Sequence, residues 1–113
     1  MKINHYEFGR IEINGNIYRN DVIIFPDHIK DNWWRREGHK LSIEDLKDML
    51  KEKPEVLIIG TGASGIMKVP KETLGLIRSE GIEPIVKRTN EACRIYNSIA
   101  QGKKVIAALH LTC

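Results

Sequence analysis

Cysteine is scarce in this chain, occurring only at Cys93 and Cys113 among 113 residues. Two thiols make no disulfide framework, and their spacing excludes a zinc ribbon or a CxxC redox pair. There is no run of about 18 apolar residues, so no transmembrane helix is expected. The segment Met1-Lys2-Ile3-Asn4-His5-Tyr6-Glu7 lacks both an apolar stretch and an Arg-rich transit pattern. Cytoplasmic residence is therefore the expectation. Charge of one sign is not in excess either: 18 Lys and Arg against 15 Asp and Glu give a net +3. The basic doublets Arg35-Arg36, Lys87-Arg88 and Lys103-Lys104 are separated by acids and read as a mixed solvated surface. Neither a nucleic-acid partner nor a membrane is expected. No internal repeat or low-complexity stretch occurs.

What is present suits one globular domain spanning residues 1–113. The composition is 42% hydrophobic and 29% charged, which is that of a folded chain. A chain of this length folds to a radius of gyration of roughly 13 Å and buries about two-thirds of its unfolded surface. That core needs no disulfide or metal to hold it.

The pattern changes near Ser42. Residues 1–41 read as a β-rich extension. Tyr6 and Phe8 alternate with polar neighbours. Ile11 and Ile13, then Asn14-Gly15, then Ile17 predict a hairpin, because Asn-Gly accepts the positive φ angles of a type I′ turn. Val22-Ile23-Ile24-Phe25 is a further strand, and His28 to Leu41 a loop with a short extended piece. Residues 42–113 alternate helix and strand. Ser42 with Asp45 predicts an N-terminal cap for a helix whose inner face is Ile43, Leu46, Met49 and Leu50. Val56-Leu57-Ile58-Ile59 is the continuous apolar run of a buried parallel strand. A second helix starts at Pro70 with Leu74 and Ile77 inward, and Gly81 ends it. Pro84-Ile85-Val86, a third helix capped by Thr89, and Val105 to Leu109 complete the alternation. The fold predicted is α/β: a three-layer single domain. Its central sheet is mostly parallel or mixed and flanked by helices, with an N-terminal β-hairpin or β-sheet extension.

Gly60, Gly62 and Gly65 match GxGxxG after a strand, yet this is not a dinucleotide site. Ile66-Met67-Lys68-Val69 delay the helix that would hold the pyrophosphate, and the next strand ends in Lys87-Arg88 where an acidic residue would read a ribose. No Lys-Ser/Thr follows to make a phosphate-binding P-loop. No cofactor is expected. A softer reading places a small-anion site beyond the carboxyl ends of the parallel strands, built from Gly60, Thr61, Gly62, Lys68, Thr89, Asn90 and His110. The alternative is that the glycines only make a tight turn and Thr89 only caps its helix. His110 and Cys113 invite a Cys-His mechanism, but Cys113 ends the chain and lacks the held position a nucleophile needs. Cys93 reads as a small core residue. Four histidines show no paired ligand spacing, so no metal site is expected. No residue is assigned a catalytic role.

Trp33-Trp34-Arg35-Arg36 is the other segment of interest. Adjacent residues of an extended segment point to opposite faces, which puts one Trp in the core and the other on the surface with an Arg stacked on it. Exposed Trp and Arg mark binding hot spots. The alternative is that both rings close the core under a loop.

One ordered set of residues runs along nearly the whole chain: Trp34-Arg35, Gly38-His39, Ile59-Gly60-Thr61-Gly62, Lys68-Val69-Pro70, Gly81-Ile82, Tyr96-Asn97 and His110-Leu111-Thr112-Cys113. It resembles the small α/β domain family of the adipogenesis-associated domain protein. It is similar, less closely, to a mitochondrial complex I assembly factor of the same superfamily, without that relative's targeting segment. The resemblance implies an α/β domain with a β extension, and neither an established activity nor catalytic residues. Two functions follow as expectations. The first is a non-catalytic protein-interaction or assembly module using Trp33, Trp34, Arg35 and Arg36, with another protein or a second copy of the chain as partner. The second is a small anionic-ligand binder or weak enzyme sited at the strand ends.

Overall fold

A computed structural model describes residues 1–113, with a radius of gyration of 12.5 Å. The chain builds two sheets. The first is a three-stranded antiparallel meander of β1 (Ile3–Glu7), β2 (Arg10–Ile13) and β3 (Asn16–Tyr18). Asn14 and Gly15 turn β2 into β3 with φ of 50° and 80°, the mirror-image turn that matches strand twist. Phe8 falls in the β1–β2 turn rather than in a strand, and its ring is exposed.

The second sheet has five strands in the order β5-β4-β8-β6-β7. β4 (Val22–Ile24) and β5 (Ile29–Lys30) come from the N-terminal part. β6 (Val56–Gly60), β7 (Glu83–Lys87) and β8 (Val105–Leu109) come from the alternating part. β8 runs parallel to β6 and antiparallel to β4, so the sheet is mixed. The N-terminal strands thus do two things: β4 and β5 widen the central sheet, and β1–β3 form a separate one.

The helices are α1 (Lys47–Lys51), α2 (Lys71–Ser79) and α3 (Thr89–Ile99), with a 3-10 turn over Ile43–Leu46 leading into α1. The chain moves from β6 out to β7, then back past β6 to β8. Right-handed crossovers in opposite directions put their helices on opposite faces. Accordingly Ile77 of α2 belongs to one core layer, and Ala92, Cys93 and Tyr96 of α3 to the other.

Side-chain alternation then divides the core. Val56 and Ile58 of β6 join Val105, Ala107 and Leu109 under α3 and the meander. Leu57 and Ile59 join Ile106, Ala108, Leu46 and Met49 on the other side. Every β6 residue is buried, as its unbroken apolar run requires. Each such side chain contributes about 1.5–3 kcal/mol relative to exposure.

Several local expectations are corrected. Ile43 is 40% exposed: it opens the 3-10 turn one turn ahead of Leu46, and the buried face begins only at Leu46 and Met49. Pro70 is the extended residue preceding α2, not its first helical residue (φ −61°, ψ 157°). In α2, Thr73 rather than Leu74 is fully buried, and its hydroxyl donates to the Leu41 carbonyl at 3.0 Å. Arg88, not Thr89, stands at the N-cap of α3, which frees the Thr89 hydroxyl for other work.

Candidate functional site

The carboxyl ends of β6, β7 and β8 lie side by side, so the segments that follow them converge. Thr89 joins all three. Its hydroxyl accepts the Gly62 N–H at 2.8 Å and donates to the His110 carbonyl at 2.6 Å. The loop after β6 then closes on the chain itself. Thr61 N–H donates to Lys87 O, Ala63 N–H to Thr112 O, Ile66 N–H to Cys113 O and Met67 N–H to Thr61 O. Gly62 has φ of 106°, and a Cβ there would sit 2.3 Å from the Cys113 carbonyl carbon. A side chain has neither the backbone conformation nor the room.

Of the seven anion-site candidates, the fold gathers Gly60, Thr61, Gly62, Thr89 and His110. The N–H groups of Thr61 and Gly62 are occupied by internal acceptors. Asn90 opens instead on a separate hollow between β1 and α3, with Tyr6, Cys93, Arg94 and Asn97. Lys68 carries an exposed side chain, while its N–H donates to His39 O at 2.8 Å.

Against this closed edge lies a polar cluster that the sequence did not announce. His110 is 5% exposed. Its Nδ1 is 2.8 Å from Asp21 Oδ2 and 3.2 Å from Arg35 Nη2. The shorter contact is to a carboxylate, which places a proton on Nδ1, and Nε2 is buried with no hydrogen-bond partner. Asp21 also accepts the Leu111 N–H at 2.7 Å and Arg35 Nη1 at 2.7 Å. Burial alone raises the Asp21 pKa, but the hydrogen bonds from His110, Leu111 and Arg35 outweigh it and hold the carboxyl below its ordinary value. Arg35 completes its bonding at the Gly38 carbonyl, 2.8 Å from Nη2. No sequence spacing signals this cluster, since Asp21 and His110 are 89 residues apart.

Arg35 decides how the tryptophan segment lies. Trp33 is 5% exposed and Trp34 is 79% exposed. The arginine that stacks does so on the buried ring: Arg35 Cζ is 4.8 Å from the Trp33 centroid. The sequence reading that placed an Arg on the exposed ring is corrected accordingly, because Asp21 pulls Arg35 inward beside Trp33. Trp33 N–H donates to Asp21 O at 2.8 Å, and Arg36 N–H to Asp45 Oδ1 at 2.9 Å, so both ends of the segment are fixed. Trp34 and Arg36 therefore project together. They border an open depression of about 400 Å³ that also takes in Arg19, Asn20, Asn32 and Thr112.

The architecture defines a small mixed α/β domain whose strand-end edge is closed by its own chain, beside an exposed Trp-Arg surface. The chain belongs to the family described as "Protein of unknown function (DUF498/DUF598)", whose profile matches residues 3–110. It is 31% identical over 109 residues to NADH dehydrogenase [ubiquinone] 1 alpha subcomplex assembly factor 3 of Danio rerio. That match covers 94% of this chain and 61% of the relative. The crystal structure of the conserved hypothetical protein PH1505 from Pyrococcus horikoshii OT3 superposes with a TM-score of 0.86 at 31% identity, over 100% of both chains. A Mth938-like domain protein of Bordetella pertussis, solved by NMR, matches with a TM-score of 0.77 at 20% identity, over 97% of this chain and 85% of that one, and shows the fold alone. The family resemblance read from the ordered residue set is borne out. No helix is long and apolar enough to cross a membrane.

Proposed function

We propose that the domain is a non-catalytic protein-interaction module of the assembly-factor kind, and that it meets its partner at the surface around Trp34. The observation that carries this reading is the mounting of that ring. An indole that is 79% exposed forgoes about 1.5–3 kcal/mol or more of burial energy. Its backbone is nonetheless held between the Trp33 N–H bond to the Asp21 carbonyl and the Arg36 N–H bond to Asp45. A fixed, exposed aromatic flanked by arginine has the composition of an interface hot spot. The relative named as an assembly factor supports the same class of function.

A photo-cross-linking residue at position 34, compared with one at the exposed Ser98 on α3, tests this in the native host. Discrete adducts of the same few proteins from position 34, with none from position 98, are the expected result. Equal labelling from both positions, or none from position 34, would overturn it.

A further inference from the structure

We infer that the segment seated at Trp34 is acidic: a short stretch of the partner's chain carrying two or more carboxylates beside an apolar or aromatic side chain. This rests on the reading of the Trp34 surface as a protein interface and names what that interface selects. The depression beside Trp34 is lined by three guanidinium groups, Arg19, Arg35 and Arg36, and one carboxylate, Asp21. That carboxylate is already occupied. Both its oxygens are taken by Arg35, His110 and the Leu111 N–H, so it offers little to an incoming cation.

The charge of Arg35 is likewise spent, on Asp21, but that of Arg19 and Arg36 is available. Arg19 is exposed and has no carboxylate within ion-pair distance. Arg36 has one, Glu44 at 2.8 Å, but both side chains are more than half exposed. An exposed pair of this kind is worth about 0–1 kcal/mol, so a partner carboxylate can replace Glu44 at small cost. The amides of Asn20 and Asn32 at the rim supply donors, and the Trp34 face supplies the apolar contact.

Nucleic acid would also stack on an indole and pair with arginine. It needs a basic track along its backbone, however. Here Lys30, Lys40 and Lys87 each face an acid, at 3.4, 3.8 and 3.9 Å, and across the chain 18 basic side chains are offset by 15 acidic ones, which leaves Arg19 and Arg36 as a local footprint beside Trp34. A peptide fits that footprint.

The test pans a phage-displayed random peptide library on the intact chain. An enriched peptide, its counterpart with Asp and Glu changed to Asn and Gln, and single-stranded oligothymidylate are then titrated by fluorescence anisotropy. Enrichment of acidic-aromatic sequences is expected, with the neutral counterpart binding about tenfold or more weakly. Arg19→Glu and Arg36→Glu should each weaken binding several-fold, and Trp34→Ala should weaken it more. Glu44→Gln releases Arg36 and should tighten it. Circular dichroism of each variant separates these effects from unfolding. Sequences without acidic bias, no enrichment, equal binding of the neutral counterpart, or binding of the oligonucleotide in place of peptide would each overturn the inference. If position 34 still cross-links discrete proteins in that case, the interface reading stands and only its acidic selectivity falls. If it does not, both fall.

Discussion

Arg35→Ala should be the most damaging single change outside the apolar core. The guanidinium side chain is 5% exposed and its Asp21 partner 15% exposed, at 2.7 Å, so solvent screening is small. Removing one partner of a buried ion pair costs about 3–5 kcal/mol, mostly because the other charge is stranded. Asp21 would not be fully stranded, since His110 and the Leu111 N–H still bond it. That places the loss near the lower end, about 3 kcal/mol. Against a typical total of about 5–15 kcal/mol this is a large share. With a urea slope of about 1–3 kcal/mol per molar, the midpoint should fall by roughly 1–3 M. The assay is urea unfolding followed by circular dichroism, run as a cycle with Asp21→Asn and the double variant. If the two groups act as a pair, the double variant should lose about 0.5–3 kcal/mol less than the sum of the single losses. A loss below about 1 kcal/mol for Arg35→Ala, or additivity within about 0.5 kcal/mol, would refute the reasoning. It would mean that the segment is held by the Trp33 ring and its backbone bonds alone.

Leu57, fully buried in β6, should cost about 2–5 kcal/mol when changed to Ala, and a loss below about 1 kcal/mol in urea would remove it from the core. Asp21 makes stability fall in acid. Its folded pKa is lowered, so the unfolded chain takes up the proton first, and stability present above about pH 4 drains away as pH falls through the folded value. Thermal unfolding of Asp21→Asn across that range should show a flatter acid limb. In alkali the sign reverses through Tyr6, whose phenol burial pushes up to about 12 while it donates to the Leu111 carbonyl. The unfolded phenol loses its proton first, so stability declines above about pH 10. Burial likewise pushes the Cys93 thiol up to about 12, so a thiol reagent at neutral pH should label Cys113 in the folded protein and Cys93 only after denaturation, as peptide mapping will show.

The parts of the fold visible in the sequence are those with local causes. Asn14-Gly15 demands a turn because few other residues accept its φ angles. The run from Val56 to Ile59 demands a strand buried on both faces. Gly81 ends α2 at φ 78°, as a left-handed C-terminal residue should. What was hidden depends on partners distant in the chain. Period-2 alternation over Trp33 to Arg36 predicts two faces but does not say which faces inward; Asp21, 14 residues upstream, settles it. Thr89 reads as a cap because threonine before a helix usually is one. It is instead diverted by two acceptor and donor groups that only the β6–β8 pairing brings within reach. Asn90 and His110 follow strand ends separated only by β6, yet α3 carries Asn90 toward the meander.

These particulars also bear on where function sits. In open α/β sheets the groove beyond the strand ends is the usual ligand site, because loops there diverge and leave helix N-termini and glycine N–H groups facing solvent. Here the loops do not diverge. Gly62 lies against Cys113 so closely that no Cβ fits, and Ala63 and Ile66 donate to the carbonyls of Thr112 and Cys113. The N-terminus of α3 is turned to the same purpose, with Thr89 N–H donating to Gly62 O. Residues 110–113 thus serve the edge as its ligand would, satisfying from within the groups an anion would otherwise bridge. The buried Asp21-His110-Arg35 cluster is the outer wall of that closure, and the same Arg35 that seals it turns Trp34 outward. Closure of the strand edge and display of the indole are therefore one arrangement. With the strand edge taken up by its own chain, the adjoining surface is the one left open, and the exposed Trp34, Arg36 and Arg19 of the proposed interface stand there.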